Sequence, residues 1–157
     1  MGSDSDLPIV EKGISVLEEY GVPHEVHVYS AHRTPTECAE FVRGAEASGF
    51  GVIIAAAGMA AHLAGAVAAN TVLPVIGIPI SSKNTGGMDA LLSTVQMPSG
   101  IPVATVAIDG AANAATLAVQ ILALSEPSLK EKLVGARAAA TEKVLLKNKA
   151  VEDKYNK

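Results

Sequence analysis

The sequence predicts an α/β fold: three αβα layers around a parallel sheet, with an additional helix at the C-terminal end. Short Val-, Ile- and Ala-rich runs of strand length alternate with segments of helical periodicity. Gly and Pro signals separate them. The chain of 157 residues has the size of one domain with a real core. Strands that alternate with helices are joined by right-handed crossovers, which makes the sheet parallel and places helices on both faces.

The opening Met1-Gly2-Ser3-Asp4-Ser5-Asp6 reads as a loop, and Asp6 can cap a first helix that has Pro8 in its first turn and Leu7, Val10, Ile14 and Leu17 along one face. Gly21 ends that helix, and His24 to Ser30 reads as a strand. Thr34-Pro35-Thr36-Glu37 supplies a capping box with Pro at the first helical position, opening a helix with Phe41 and Val42 that stops at Gly49. Gly51 to Ala56 is a buried type of strand, Ala60 to Ala69 a helix, Pro74 to Ile78 a strand and Met88 to Val95 a helix. Pro102 to Ile108 completes the strands, an apolar helix from Ala111 to Leu124 follows, and Ser125-Glu126-Pro127 breaks the chain. The last helix starts at a second capping box, Ser128 to Glu131, with Leu133, Ala136, Ala140 and Val144 as a narrow apolar stripe. The polar tail from Lys147 to Lys157 is expected to fray.

Composition excludes several classes of function. A formal charge of -4, with no basic stripe and no interleaved aromatic platform, argues against a nucleic-acid partner. Only two Phe, three Tyr and no Trp contribute to the 49% of hydrophobic residues, so small aliphatic side chains must pack helices and strands closely. The single Cys38 cannot form an internal disulfide, no secretory signal opens the sequence, and the expected compartment is the cytoplasm. From Gly51 to Ala69 only His62 interrupts an apolar run of nearly membrane-spanning length. The run has no flanking Lys or Arg and splits at Gly58 into a strand and an Ala-rich helix, so no membrane span is expected.

In an open parallel sheet, ligands bind beyond the carboxyl ends of the strands. The Gly2-Ser3-Asp4-Ser5-Asp6 loop offers hydroxyls and amides for a phosphate, while Asp6 suits the hydroxyls of a sugar; a plain N-cap with polar neighbours is the alternative. Ser30-Ala31-His32-Arg33-Thr34-Pro35 combines a guanidinium fork and a hydroxyl with an imidazole that titrates near neutral pH. That pairing points to acid-base chemistry on a phosphorylated ligand; the alternatives are a surface His and an Arg paired with a carboxylate. Ala56 to Gly65 places His62 among Gly58, Ala60, Ala61 and Leu63, small or apolar residues that let a flat ring approach the backbone, although a core histidine would read the same way.

Ser81 to Gly87 is a polar, flexible connection, and Gln96 to Gly100 follows a helix, so it reaches a site only by folding over or from another subunit. His24 and His27 lie three apart on a strand, share no face and read as structural. Walker, dinucleotide and nucleophile-elbow motifs are missing, Cys38 falls inside a helix, and no cluster has metal-ligand spacing. Neither a metal nor a cofactor is expected.

The segments GSDSD, SAHRTP, AAGMAAHLAG, LPVIGIPI, MDALLSTVQMPSGIPVATVAI and AANAATLAVQILA resemble, in the same order, those of the PurE family of purine biosynthesis, from Met1 to about Leu124. The resemblance implies a flavodoxin-like parallel sheet, a homo-octamer and a ribonucleotide substrate. It implies that Ser3, Asp6 and Arg33 bind the ribonucleotide with Ser5 and Ser30 nearby, that His32 transfers the proton, and that His62 and its loop border the reacting carboxyl group. Residues 1–124 are then an α/β nucleotide-binding catalytic unit, and residues 125–157 a helix and tail of the same domain that pack on a neighbouring subunit.

Of the two branches of the family, Ala60-Ala61-His62-Leu63 looks like the mutase branch, which converts N5-carboxyaminoimidazole ribonucleotide to its carbon-carboxylated isomer; the other carboxylates aminoimidazole ribonucleotide directly with carbon dioxide. Loss and recapture of carbon dioxide needs proximity, a dry pocket formed by Gly58, Ala60, Ala61 and Leu63, and one imidazole, His32, acting first as acid and then as base. Direct carboxylation and a non-catalytic nucleotide-binding module are the competing expectations. Met59 stands where the family usually has a second Gly, Ala64 where it has Pro, and Ala56 where it has Gly. The family also has a short strand ahead of GSDSD, so either the sheet here has one strand fewer or the numbering opens inside the native chain.

Overall fold

The structure, a computed structural model, describes residues 1–156. Three parallel strands, β1 (Ile53–Gly58), β2 (Val75–Ile80) and β3 (Ala104–Thr105), form an open sheet in the order β1-β2-β3. Ile53 lies beside Val75 and Gly58 beside Ile80, while Ile76 lies beside Ala104. β2 is buried throughout, as its unbroken apolar sequence requires of a central strand covered on both faces.

Side chains alternate between the two faces. On one face Ala55 and Val75 join Cys38 and Val42 of α2 (Pro35–Ala45) and Leu63 and Val67 of α3 (Leu63–Ala68). On the other, Ala56, Ile76 and Ile78 join Ala111, Ala114 and Ala118 of α5 (Ala111–Leu122) and Ile9 and Val10 of α1 (Leu7–Tyr20). α4 (Met88–Val95) lies on the α3 face, where a Cβ on Gly77 of β2 would collide with Thr94 Cγ2. A Cβ on Gly13 would lie 2.8 Å from Ala111 O, so glycine sets how closely α1 crosses α5. α6 (Pro127–Tyr155) is fixed at its base by buried Leu129 and by Lys132 Nζ, which donates to Tyr20 O at 2.7 Å.

Several expectations need correction. His24 to Ser30 is extended but joins no strand ladder, because its backbone finds only Met1 to pair with. Asp6 occupies the N-cap position of α1 without a capping bond; the turn Asp4–Asp6 precedes the helix, and the Asp6 carboxylate accepts from Ser5 Oγ at 3.3 Å. The Thr34 capping box does not form, since the Thr34 hydroxyl bonds the backbone of Ser30 instead. The Ser128 box does not form either: α6 starts at Pro127, with Glu126 at the N-cap making no side-chain bond. The expected strand over 102–108 shrinks to Ala104–Thr105, bounded by Pro102, which has no N–H, and by the left-handed turn at Asp109. α3 starts at Leu63, later than expected, because two tight turns at Met59 and Ala60 precede it. The tail does not fray: α6 continues to Tyr155, and only Lys157 falls outside the described residues. The apolar run from Gly51 to Ala69 splits at Gly58 as expected, and among the described residues no helix is long and apolar enough to cross a membrane.

Candidate active site

A cleft of about 590 Å³ opens at the carboxyl ends of β1 and β2. Ten of the residues singled out from the sequence line it, brought together from three loops, whereas Ala61, expected in the same pocket wall, is buried behind the third loop and does not line the cleft.

The first loop precedes α1. Ser3 Oγ accepts the Ser5 amide at 3.3 Å and the Ser5 hydroxyl at 2.8 Å, closing the turn that carries Asp6. Asp6 is buried, and burial raises its carboxyl above the ordinary carboxylate range against the opposing pull of the Ser5 hydroxyl and the Met1 ammonium.

The second loop precedes α2. Ser30 Oγ accepts the amides of His32 at 3.3 Å and Arg33 at 3.2 Å, while Thr34 Oγ1 accepts from Ser30 N at 2.8 Å and donates to Ser30 O at 3.2 Å. This self-contained turn uses the hydroxyls that would otherwise cap the helix and fixes the backbone of His32 and Arg33 at the cleft. Arg33 Nη2 donates to Gly2 O at 3.0 Å, tying the second loop to the first and leaving most of the guanidinium fork available.

The third loop leaves β1 at Gly58. Met59 takes a left-handed φ of 58°, the conformation a glycine adopts without strain. Ala61 N then donates to Met59 O at 2.9 Å and His62 N to Ala60 O at 2.7 Å, which sets His62 at the N-cap of α3 beside buried Ala61 and Leu63. The His32 and His62 rings are nearly parallel, 9° apart in plane, with centroids separated by 6.5 Å. Neither ring has a hydrogen-bond partner among the described residues, so the ring nitrogens are available to a ligand.

Ser81 and Ser82, at the end of β2 in the connection expected only to be polar and flexible, line the same cleft. Ser81 N donates at 2.8 Å to the carboxylate of Asp109, which has a left-handed φ of 57°. The available signal was their position after a strand end. Gln96 to Gly100 does not line the cleft; Met97 packs over α3, its Sδ 3.1 Å from where a Gly65 Cβ would stand. His24 Nδ1 is 3.1 Å from Val22 O, and His27 bonds Glu25 at 2.9 Å and stacks on Tyr29 at 5.2 Å, both outside the cleft. Burial pushes the Cys38 thiol up, away from nucleophilic reactivity. Among the described residues no group of three His, Cys, Asp or Glu could hold a metal ion.

The family model described as AIR carboxylase matches residues 1–143. The chain belongs to the AIR carboxylase family. Among its family relatives, the N5-carboxyaminoimidazole ribonucleotide mutase of Pyrococcus horikoshii is 56% identical over 98% of this chain and 86% of its own length. Its counterpart in Methanocaldococcus jannaschii is 50% identical over 99% of this chain and 96% of its own. The crystal structure of Treponema denticola PurE superposes with a TM-score of 0.84 at 27% identity, covering 100% of this chain and 96% of that one. The resemblance seen in the loop motifs thus extends beyond Leu124 into the first half of α6.

Proposed function

We propose that this enzyme is an N5-carboxyaminoimidazole ribonucleotide mutase, an isomerase of purine biosynthesis that moves the carboxyl group from the exocyclic nitrogen to the ring carbon. The observation that carries this reading is the meeting, in one cleft, of an imidazole, an anion-binding fork and an apolar loop: His32, Arg33 and the stretch from Gly58 to Leu63. Relatives carrying the mutase name at 56% and 50% identity support it independently.

In the proposed mechanism, Arg33, Ser3 and Ser5 hold the phosphate, and Asp6 holds the ribose, with Ser30 shaping the anchoring turn. The carbamate C–N bond breaks, carbon dioxide departs, and the electron pair left on nitrogen takes a proton from His32. Carbon dioxide is retained against Gly58, Ala60 and Leu63, the small and apolar residues of the cleft wall, beside the ring carbon that recaptures it. The ring carbon attacks it, a C–C bond forms, and the proton on that carbon returns to His32. Protons and carboxyl balance over the cycle, so the reaction consumes no co-reactant. His62 faces His32 and borders the migrating carboxyl.

Isomerisation of N5-carboxyaminoimidazole ribonucleotide in the absence of ATP and added bicarbonate is the decisive measurement. Turnover only of aminoimidazole ribonucleotide with carbon dioxide would assign the enzyme to the carboxylase branch, and nucleotide binding without turnover of either would leave a binding module.

The proposal includes assembly as a homo-octamer in which α6 packs on a neighbouring subunit. Its support is the exposed apolar set Val134, Val144, Leu145, Leu146 and Val151 on a helix that this chain anchors only near its base. Light scattering tests it, and a monomer at micromolar concentration would overturn it. A cytoplasmic location belongs to the same reading, because a phosphorylated ribonucleotide does not cross a bilayer unaided.

A further inference from the structure

Five serines line the cleft, and four of their hydroxyls are already engaged within the protein. Ser3 and Ser5 bond each other at 2.8 Å, Ser30 Oγ accepts the amides of His32 and Arg33, and Ser82 Oγ accepts from Thr85 N at 3.4 Å. Ser81 differs. It bonds a side chain only through its amide, and among the described residues its hydroxyl has no partner.

The backbone that carries this hydroxyl is nevertheless fixed from two sides. The Asp109 carboxylate accepts the Ser81 amide at 2.8 Å, and Asp109 N donates to Pro79 O at 2.9 Å, so the turn before α5 grips the end of β2 at two points. To do so Asp109 takes its left-handed φ of 57°, a conformation that costs a non-glycine residue energy and persists where its surroundings require it. On the side of α4, a Cβ on Gly87 would stand 3.0 Å from Ser81 Cα and 2.7 Å from Ile108 Cγ2, so the connection closes tightly over Ser81. A merely flexible linker needs none of these contacts. Ser81 also follows Ile80, the β2 partner of Gly58, and stands about one strand spacing, ~4.8 Å, from the start of the apolar wall. Arg33 is tied to Gly2, which bonds β1 at Ala56, while β2 and Ser81 lie along the other edge of β1.

We infer that Ser81 determines specificity for the carboxylated nucleotide: its hydroxyl donates to the carboxylate of the bound ligand, and Asp109 is the positioning residue that presents it. The inference rests on the mutase reading of the cleft. A ribonucleotide anchored by its phosphate at Arg33 extends across the third loop and brings its far end, the ring with the carboxyl group, to Ser81. There Gly58, Ala60, Leu63 and Ile80 offer no polar side chain, and a carboxylate set against them needs a donor to replace the water it has lost. Ser81 supplies one from the β2 side of the wall, and His62 faces it from the third loop.

Calorimetry with two ribonucleotides that differ by the carboxyl group alone tests this: 4-carboxy-5-aminoimidazole ribonucleotide, and aminoimidazole ribonucleotide in bicarbonate-free buffer. Ser81→Ala removes a hydroxyl that the fold does not use. It should bind the carboxylated nucleotide about tenfold or more weakly than the parent and the other one equally well. Asp109→Gly keeps the left-handed turn but removes the acceptor, so it should lose roughly threefold or more, again for the carboxylated nucleotide only. Asp109→Asn keeps an acceptor oxygen and tolerates the turn, and should restore the parent's ratio of affinities. The inference is overturned if Ser81→Ala keeps that ratio or weakens both nucleotides alike, if Asp109→Gly matches the parent, or if Asp109→Asn is no better than Asp109→Gly. An unchanged ratio in Ser81→Ala, with a parent that isomerises N5-carboxyaminoimidazole ribonucleotide, overturns this inference alone. A parent that binds neither nucleotide overturns the mutase reading with it.

Discussion

His32 and His62 come from different loops, after the segment from His24 and after β1, yet their rings lie within 9° of parallel at 6.5 Å between centroids. The two imidazoles are not equivalent. His32 stands in the same turn as Arg33, whereas His62 begins α3 in an apolar stretch. His32→Asn should therefore lower kcat by the roughly hundredfold to ten-thousandfold typical of lost acid-base catalysis, with nucleotide binding intact. His62→Asn should cost less. Steady-state kinetics with a parallel binding titration distinguishes them, and near-normal turnover by the His32 variant would mean that the proton carrier is another group.

Arg33 is expected to act in binding rather than in folding. Its fork gives one N–H to Gly2 O and is exposed otherwise, so Arg33→Ala should leave the thermal transition within a few degrees of the parent. Losing a charge-assisted contact to phosphate costs about 1.5–3 kcal/mol, or roughly tenfold to a hundredfold in KM. Arg33→Lys should recover only part of that loss, because an ammonium cannot contact Gly2 O and a phosphate with the geometry of a planar fork. A cooperative loss of fold with unchanged KM would point to a purely structural role.

The Asp6 carboxyl gives the unliganded enzyme a pH signature. Burial raises its pKa, so the folded state holds the proton more tightly than the unfolded state does. Stability should then fall as pH rises from the ordinary carboxylate value through the raised one, and remain lower at neutral pH. Asp6→Asn should remove this fall and raise the unfolding midpoint at pH 7, with little difference from the parent below pH ~3.5. It should also weaken nucleotide binding, because the ribose loses its acceptor. Denaturant titrations across pH check the first expectation; a variant less stable than the parent at pH 7 would contradict it.

Met59 carries a backbone cost that glycine would relieve. A left-handed non-glycine residue costs about 1–2 kcal/mol, while glycine returns about 0.5–1 kcal/mol through the entropy of the unfolded chain. Met59 is 62% exposed and loses little packing on truncation, so Met59→Gly should stabilise by no more than about 1.5 kcal/mol. Chemical denaturation measures the change, and a destabilised variant would show that the Met59 side chain has a partner, such as a neighbouring subunit.

The layered fold was legible because its signals are local. Met88–Val95 has the expected bounds, set by the paired glycines before it and the Gln96-Met97-Pro98 turn after it. His24 to Ser30 has strand composition, but a strand is a relation between two chains of hydrogen bonds, and only Met1 offers one. The tail was misread from its polarity; Ala, Glu and Lys are also good helix formers, and α6 runs through them to Tyr155. The cleft was legible in His32, Arg33 and the serines because chemistry-bearing side chains after strands are rarely placed there by packing alone. Ser81 and Ser82 were not, since hydroxyls in a Gly-rich connection read equally well as linker. Nor was the pinning of Ser81 by Asp109, which depends on one residue's left-handed backbone.

Every residue from Val134 to Tyr155 is exposed, whereas the contacts of α6 with the body involve Leu129 and Lys132. The exposed 22 residues form a lever about 33 Å long pivoting on its first turns, so a tilt of about 5° at the base sweeps the far end through about 3 Å. Small adjustments where Lys132 meets the end of α1 at Tyr20 are therefore amplified at Tyr155. Whatever grips the far end receives, mechanically, a magnified reading of how α1 sits, and α1 is the helix whose opening turn carries Asp6 into the cleft.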